Sequence, residues 1–503
     1  MMSHYAELLT PAQIIAVHDA SLEILDQVGV LVRNEEARRR LGRHGCRVNP
    51  QTQIVTFPRA VVEEFRRLVP PTFTFHARDE ALTKTIPGNG LVIATASSAP
   101  NLIDPDNGED RRSTSQDIAR IGHLVSQLPG IDVFSISVLA DDAPDGQFSL
   151  SRFYPAVKNC SKPVRTSVMD IREARQILKL GALVAGSEGS FLARPFITFG
   201  YCSIVSPLTM DFDSTEMLMF CADHKLPAYG TIAPIGGLSA PLSMIGMLAQ
   251  INAEWLATAV LAQVSRAGTP LIYNFLPVVG DMRTGAYAAG AVETGIVAMA
   301  IAQMARFYGV PSGSYLGLTN AKSGDAQAGF EKAMSPALAA TAGIDFIVIG
   351  GLLDALMSFD FGQLVIDDEI ARMLKRVRQD LALGSLERSI AEIRKAGPGG
   401  MFVDHAETLA AMKTAAFLPQ IADRERREVW KERGSVGTHE RALSRAKELL
   451  CHPNTAALPA EIDARVRNDF ENLVSGDCEV PSGWTAHLPD EQRPRRLGRR
   501  GSR

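Results

Sequence analysis

Aromatic residues spaced two apart on apolar runs are the most specific chemical signature in this sequence. Phe199 and Tyr201 lie in the run Phe196–Tyr201, and Tyr273 and Phe275 in Leu271–Leu276, so each pair shares one face of an extended strand. Tyr229 and Tyr315 stand in two further runs, Ala228–Ile232 and Gly313–Leu318. Aromatics make up only 6% of the chain, so six at such positions are a concentration rather than scatter. Rings gathered around a cavity attract a quaternary ammonium by cation–π contact, worth on the order of 0.5–2 kcal/mol per ring. For each ring alone, an ordinary core position is the competing reading.

Two polar segments carry the remaining chemistry. Thr319–Lys332, TNAKSGDAQAGFEK, holds Asn320, Lys322, Asp325, Gln327 and Glu331, and is too polar for a core. Gly280–Gly285, GDMRTG, carries Arg283, whose guanidinium can grip a carboxylate with two parallel hydrogen bonds or pair within the chain with Asp281 or Asp325. Lys322 suggests a Schiff base to a carbonyl substrate, in competition with an ordinary charged lysine. Glu254, inside the apolar stretch AEWLATAVLAQV, predicts a buried ion pair.

These residues need a frame that brings distant runs together. Strand-like runs occur at Leu91–Ala94, Ile131–Val138, Val164–Val168, Phe196–Tyr201, Ala228–Ile232, Leu271–Leu276, Gly313–Leu318 and Phe346–Ile349, with helix-compatible sequence between most of them. Eight runs about 30 to 45 residues apart favour a (β/α)8 TIM barrel over a doubly wound sheet. In such a barrel the loops after the strands would share one mouth.

Ahead of the barrel, residues 1–85 predict an N-terminal helical cap, opened by Thr10-Pro11 as N-cap and first helical residue. Asn107-Gly108 predicts a hairpin over Asn101–Thr114, leading into a barrel that spans 86–365. Residues 366–455 turn charged and helical, a C-terminal extension with Gly397–Gly400 as a loop. The basic stretch ending RPRRLGRRGSR, within 481–503, predicts a disordered tail.

Composition narrows the function classes. The 52 basic and 56 acidic side chains leave a net charge of −4, which speaks against non-specific nucleic-acid binding. No apolar run reaches the roughly 18 residues of a membrane span, and MMSHYAELLT does not read as a secretory leader, so the cytoplasm is the expected compartment. The six cysteines form no C-x-x-C and the ten histidines no H-E-x-x-H, so no metal site is expected. No G-x-G-x-x-G follows a predicted strand, and neither a P-loop, a G-x-S-x-G elbow nor the D-x-H-x-x-G pattern of corrinoid-binding modules is present.

Six segments together resemble the trimethylamine methyltransferase family: SPLTMD (Ser206–Asp211), YGTIAPIGGLSAP (Tyr229–Pro241), INAEWLA (Ile251–Ala257), GDMRTG (Gly280–Gly285), AKSGDAQAGFEK (Ala321–Lys332) and GGMFVDHAETL (Gly399–Leu409). The similarity runs from about Gln13 to Cys451. It implies a barrel that hands a methyl group from an amine to the cobalt of a separate corrinoid protein. The corrinoid would then come with that partner, with no cofactor held tightly here.

Members acting on trimethylamine carry pyrrolysine, whereas only standard residues occur here. The resemblance therefore implies the branch without pyrrolysine, some of whose members demethylate glycine betaine or related quaternary amines. On this reading a quaternary (or tertiary) methylamine gives its methyl to cobalt(I). Tyr201, Tyr229, Tyr273, Phe275 and Tyr315 would wall the cation, and Arg283, Asn320 or Gln327 would select a carboxylate tail. No catalytic residue is assigned, and a homo-oligomer is left open. The competing functions are a betaine-binding or regulatory barrel without methyl transfer and a Schiff-base, aldolase-like barrel.

Overall fold

The computed structural model describes residues 5–168, 170–379 and 385–484. Its centre is an eight-stranded parallel sheet: β1 (Val92–Ala94), β2 (Phe134–Ser135), β3 (Val164–Ser167), β4 (Ile197–Ile204), β5 (Ala228–Ile232), β6 (Tyr273–Phe275), β7 (Ser312–Gly317) and β8 (Phe346–Ile349). Each strand pairs with the next in chain order from β2 to β8. Pairing of Phe346 with Val92 joins β8 to β1, and parallel bridges Ala94 to Val133 and Ala99 to Val138 close the ring. All eight apolar runs are therefore barrel strands, short and buried on both faces as a helix-wrapped parallel sheet requires.

Eight helices follow the strands: α1 (Ser115–Gln127), α2 (Leu150–Asn159), α3 (Ile171–Ala185), α4 (Phe212–Asp223), α5 (Met244–Ser265), α6 (Val292–Tyr308), α7 (Ala326–Thr341) and α8 (Phe361–Val377). Helix α5 is long and apolar enough to cross a membrane, but 83% of its most apolar window is buried in the core. Lys162, just before β3, caps the carboxyl end of α1. Its buried Nζ donates to the carbonyls of Val125, Leu128 and Ile131, each at 2.7 Å.

Three expectations change. The predicted hairpin pairs Asn101–Ile103 with Asp110–Arg112, but it follows β1 instead of preceding the barrel, and so rises from the strands' carboxyl ends. The N-terminal cap is mixed rather than helical. Helices Pro11–Glu23, Glu35–Arg43 and Arg59–Arg66 surround an antiparallel sheet of Val30–Val32, Ile54–Thr56 and Arg47–Val48, extended by Thr209–Met210 from beyond β4. Strands of two or three residues are too short for alternation to register in the sequence. Finally, the charged helix placed in the extension is α8 itself, so the expected boundary at 366 falls inside a barrel unit.

The amino-terminal side of the barrel is closed by a second hairpin, Phe73–Phe75 with Lys84–Ile86. Phe75 stacks on Phe346 at 5.0 Å between centroids and lies 6.3 Å from Tyr229. Beyond α8, the chain returns over the first two barrel units. Gln127 donates to the Leu449 carbonyl at 2.8 Å, Asn159 to Gly476 at 2.7 Å, and Lys158 pairs with Asp463 at 2.9 Å. Trp484 is buried and donates from Nε1 to Asp106 in the hairpin loop at 2.7 Å. The basic RPRRLGRRGSR stretch lies outside the described residues.

Candidate active site

Strand register decides which side chains face the bore. Arg165 is level with Ser135 and Thr198, Ser167 with Gly200, Gly200 with Tyr229, Cys202 with Thr231, and Asn274 with Gly313. Tyr315, two residues beyond Gly313, is level with Val348. With two-residue alternation, these positions all point inward. Ser167 and Cys202 near the strand ends are exposed although they belong to barrel strands, so the bore opens at the carboxyl side. This is the side where barrel enzymes place their chemistry.

The five expected aromatic walls divide. Tyr229 and Tyr315 face the bore. Tyr273 faces outward and donates from Oη to Asn252 on α5 at 2.8 Å, and Phe275 packs against it at 4.5 Å. Tyr201 shares the outward face of β4 with Phe199, whose ring meets Phe220 of α4 at 6.3 Å. A common cage of five rings is thus corrected to two, because residues two apart share a face and three of these rings lie on faces turned to the helices.

The two inward rings already hold a cation. The Arg165 guanidinium lies 4.0 Å from the Tyr229 ring centroid, 5.6 Å from that of Tyr315 and 5.7 Å from that of Phe346. Its Nη2 donates to Tyr315 Oη at 3.1 Å. Arg165 is 2% exposed and makes no salt bridge among the described residues. Burial alone would push the Tyr315 phenol up, but the charge and hydrogen bond of Arg165, with the Ser97 and Thr231 hydroxyls, hold it below its ordinary value. Burial dominates at Tyr229, whose phenol is raised.

Several polar atoms here are buried without a hydrogen-bond partner: Arg165 Nε, Tyr229 Oη, Asn274 Oδ1 and Tyr287 Oη. The Asn274 amide nitrogen is used, donating to Thr231 Oγ1 at 2.9 Å and the Gly230 carbonyl at 3.1 Å. Gly313 leaves room beside its free oxygen, since a Cβ there would lie 2.8 Å from Asn274 Oδ1. Buried polar groups are normally paired, so such a cluster at the foot of an open mouth marks a place for a polar ligand. Asn274 and Arg165 were not singled out from sequence. A charged residue inside the apolar run Val164–Val168 was the available signal.

The remaining expected residues lie in the loops. Arg283 is 87% exposed and pairs with Asp281 at 2.7 Å, the internal pairing the sequence left open. Asn320 ties two loops together, donating to the Tyr287 carbonyl at 2.9 Å and accepting from Gly290 N at 3.2 Å. Gln327 donates to Glu331 at 3.0 Å. Both amides are therefore engaged within the chain. Lys322 is 71% exposed and paired with Asp354 at 2.9 Å, which favours the ordinary surface lysine of the competing reading over a Schiff-base nucleophile.

Glu254 has no cationic partner among the described residues, which corrects the expected ion pair. It accepts from Leu208 N at 2.9 Å, Ser206 Oγ at 2.8 Å and Gln250 Nε2 at 3.0 Å, and burial raises its pKa. Its role is to hold the turn after β4. Lys332 forms a fully buried pair with Asp367 at 3.1 Å and also donates to the carbonyls of Gly317 at 2.7 Å and Leu352 at 3.0 Å, linking the ends of β7 and β8.

A hollow of about 450 Å³ lies elsewhere, under the returning C-terminal segment between His123, Cys451, Cys478 and Trp484. No group of three metal-ligating side chains forms among the described residues. Orphaned polar atoms, not volume, therefore locate the site.

A closed parallel barrel with aromatic and polar groups converging below the strands' carboxyl ends defines a barrel enzyme. The sequence profile described as Trimethylamine methyltransferase (MTTB) matches residues 2–472. A glycine betaine methyltransferase of Desulfitobacterium hafniense (strain Y51) is 30% identical over 463 residues, 92% of this chain and 95% of that protein. A trimethylamine methyltransferase of Desulfitobacterium hafniense (strain DSM 10664 / DCB-2) is 27% identical, covering 91% of this chain and 92% of its own. A further trimethylamine methyltransferase, from Methanosarcina barkeri, is 29% identical over 93% of this chain and 94% of its own length. The chain belongs to the trimethylamine methyltransferase family and is a methyltransferase.

Proposed function

We propose that this protein transfers a methyl group from a quaternary or tertiary methylamine, bound in the barrel mouth, to a corrinoid carried by a separate protein. Family membership over nearly the whole chain carries the reading. The names of two relatives supply the candidate donors, glycine betaine and trimethylamine.

The corrinoid would supply a nucleophilic cobalt(I) centre at the mouth. Exposed Leu238, Leu242 and Met282 fit a docked partner: they stand in loops after β5 and β6, and Met282 and Leu242 both flank Gly237. The chain's own residues bind and orient the amine. Arg165 fills the lower cage, so a substrate ammonium sits above it, near Tyr315, Tyr287 and the Thr231–Asn274 pair.

As the methyl leaves, the C–N bond breaks with its electron pair retained on nitrogen. A quaternary donor departs as a neutral tertiary amine, and no proton is required; a tertiary donor reacts as its protonated ammonium and departs as a neutral secondary amine. Because positive charge leaves nitrogen during transfer, tight cation binding favours the ground state. The mouth contributes instead by holding one methyl toward the visiting acceptor.

The test mixes the purified protein with a reduced corrinoid protein and a panel of glycine betaine, proline betaine, carnitine, choline and trimethylamine. Loss of the cobalt(I) absorbance with one amine and not without protein is expected. Tight amine binding with no loss for any amine would overturn transfer and leave a binding protein.

A further inference from the structure

We infer that the flank of the barrel formed by α7 and α8, together with the helix Leu386–Ala396 that follows them, is the interface with a second copy of this chain. The pairing is independent of the methyl-transfer reading above.

A helix on the outside of a barrel normally buries one face and turns charged residues to water. From Phe330 to Thr341, α7 carries only two charges, Glu331 and Lys332. Lys332 is fully buried, and Glu331 is occupied by the Thr319 hydroxyl and Asn320 N. The face left to solvent is that of Phe330, Ala333, Met334 and Ala337, with Phe330 61% and Met334 53% exposed. On α8, Asp368 and Lys375 reach Gly130 and Asp132 beside α1. The opposite flank, turned to α7, carries Ile366, Ile370, Met373 and Val377 at helical spacing, the last two exposed. Because α7 packs on α8, the two apolar stripes adjoin. Other barrel helices are covered within the chain, α1 and α2 by residues 449–484 and α5 by the helices Pro11–Glu23 and Arg59–Arg66.

Beyond Val377, the helix Leu386–Ala396 buries none of its residues, and Leu386, Ile390 and Ile393 share one exposed face. With Phe330, Met334, Met373 and Val377, these side chains present roughly 800 Å², above the ~300–600 Å² of a typical monomer's largest apolar patch and close to the ~800 Å² that each partner buries in a stable complex. An interface without charge on α7 suits a permanent contact, and permanent contacts between soluble chains are most often two-fold pairings of identical copies. The helix Leu386–Ala396 is complementary to itself. Glu387 flanks its stripe near one end and Arg394 near the other, so an antiparallel approach about a two-fold axis sets Glu387 of each copy beside Arg394 of the second. A visiting corrinoid protein must reach the mouth. This face instead runs down the barrel's side, from Phe330 near the mouth to Val377 at the far end of α8, and pairing through it leaves both mouths open.

Fluorescence-detected sedimentation of the full-length protein, from about 1 nM to about 50 µM, tests this. Wild type should sediment as a dimer at the upper end of the range. Phe330→Glu combined with Met334→Glu should weaken association by at least about 100-fold and leave a monomer whose far-UV circular dichroism is unchanged. Glu387→Arg and Arg394→Glu should each weaken association by about 10-fold, and the two together should restore it. Leu238→Glu combined with Met282→Glu, at the mouth, should leave the dimer intact.

A wild type that stays monomeric at the highest concentration would overturn the inference. So would a dimer that survives Phe330→Glu with Met334→Glu, or a charge exchange that does not restore association. A monomeric wild type that binds a corrinoid protein through Phe330 and Met334 would assign the face to that partner and overturn the pairing. If the double glutamate variant does not fold, the exchange at Glu387 and Arg394 decides, since it alters a helix with no buried residue.

Discussion

Replacing Lys332 by methionine tests whether the ends of β7 and β8 depend on one buried ion pair. Lys332 and Asp367 are both 0% exposed, and the substitution removes the ammonium while keeping most of the side-chain volume. Asp367 would retain Gly351 N at 2.7 Å and Gln363 Nε2 at 2.8 Å as donors but lose its counter-charge. The Gly317 and Leu352 carbonyls would lose a donor at the same time. Breaking a buried pair from one side costs about 3–5 kcal/mol. With an unfolding entropy near 2.1 cal/mol/K per residue, 503 residues give about 1.1 kcal/mol/K, so the melting temperature should fall by about 3–5 °C. Calorimetry of Lys332→Met, Asp367→Asn and the double variant measures this, and the double variant should recover at least half of the Lys332→Met loss. A fall below about 1 °C, or a double variant as unstable as the two singles combined, would refute the assigned role of the pair.

Three further predictions follow from the placement of side chains. Tyr273→Phe should lower stability by about 1–2 kcal/mol, by stranding the Asn252 carbonyl oxygen, and leave amine affinity unchanged in calorimetry; altered affinity would contradict its outward orientation. Arg283→Ala, at an exposed turn, should change neither the melting temperature nor KM for the amine in a methyl-transfer assay. The hydrogen bond to Asp360 at 2.7 Å raises the His439 pKa above its ordinary 6.5. Its contribution should be complete below that unfolded value and fade as pH rises through the higher folded value. The melting-temperature gap between wild type and His439→Gln should therefore be widest near pH 6 and close in alkaline buffer, and a gap that widens there would reverse the assignment. With the imidazole partly exposed, the effect should stay at about 0.5–1 kcal/mol.

The barrel was legible because Phe346–Ile349, Ala228–Ile232 and their counterparts are mainly apolar runs of strand length, set at the interval a strand-and-helix repeat requires. The same property hid the site. A strand apolar on both faces gives no sign of which face is inward, so Tyr201 and Tyr229 look alike in sequence although one meets the helices and the other the bore. Arg165 was visible as a charge inside a strand but lacked a partner in sequence to give it meaning, because its neighbours Tyr229, Tyr315 and Phe346 come from three other strands. Arg283, by contrast, sits two residues from its actual partner, which local spacing could suggest but not select.

The returning C-terminal segment bears on how this molecule can be made. Helices α1 and α2 leave the ribosome early, yet their outer surfaces are covered by residues 449–484, and Trp484 is anchored to Asp106 across 378 positions. These contacts give the first barrel units a high contact order, which slows folding. During synthesis those apolar helix faces stay uncovered until almost all of the described chain has emerged, an interval in which chaperones would find their binding surface.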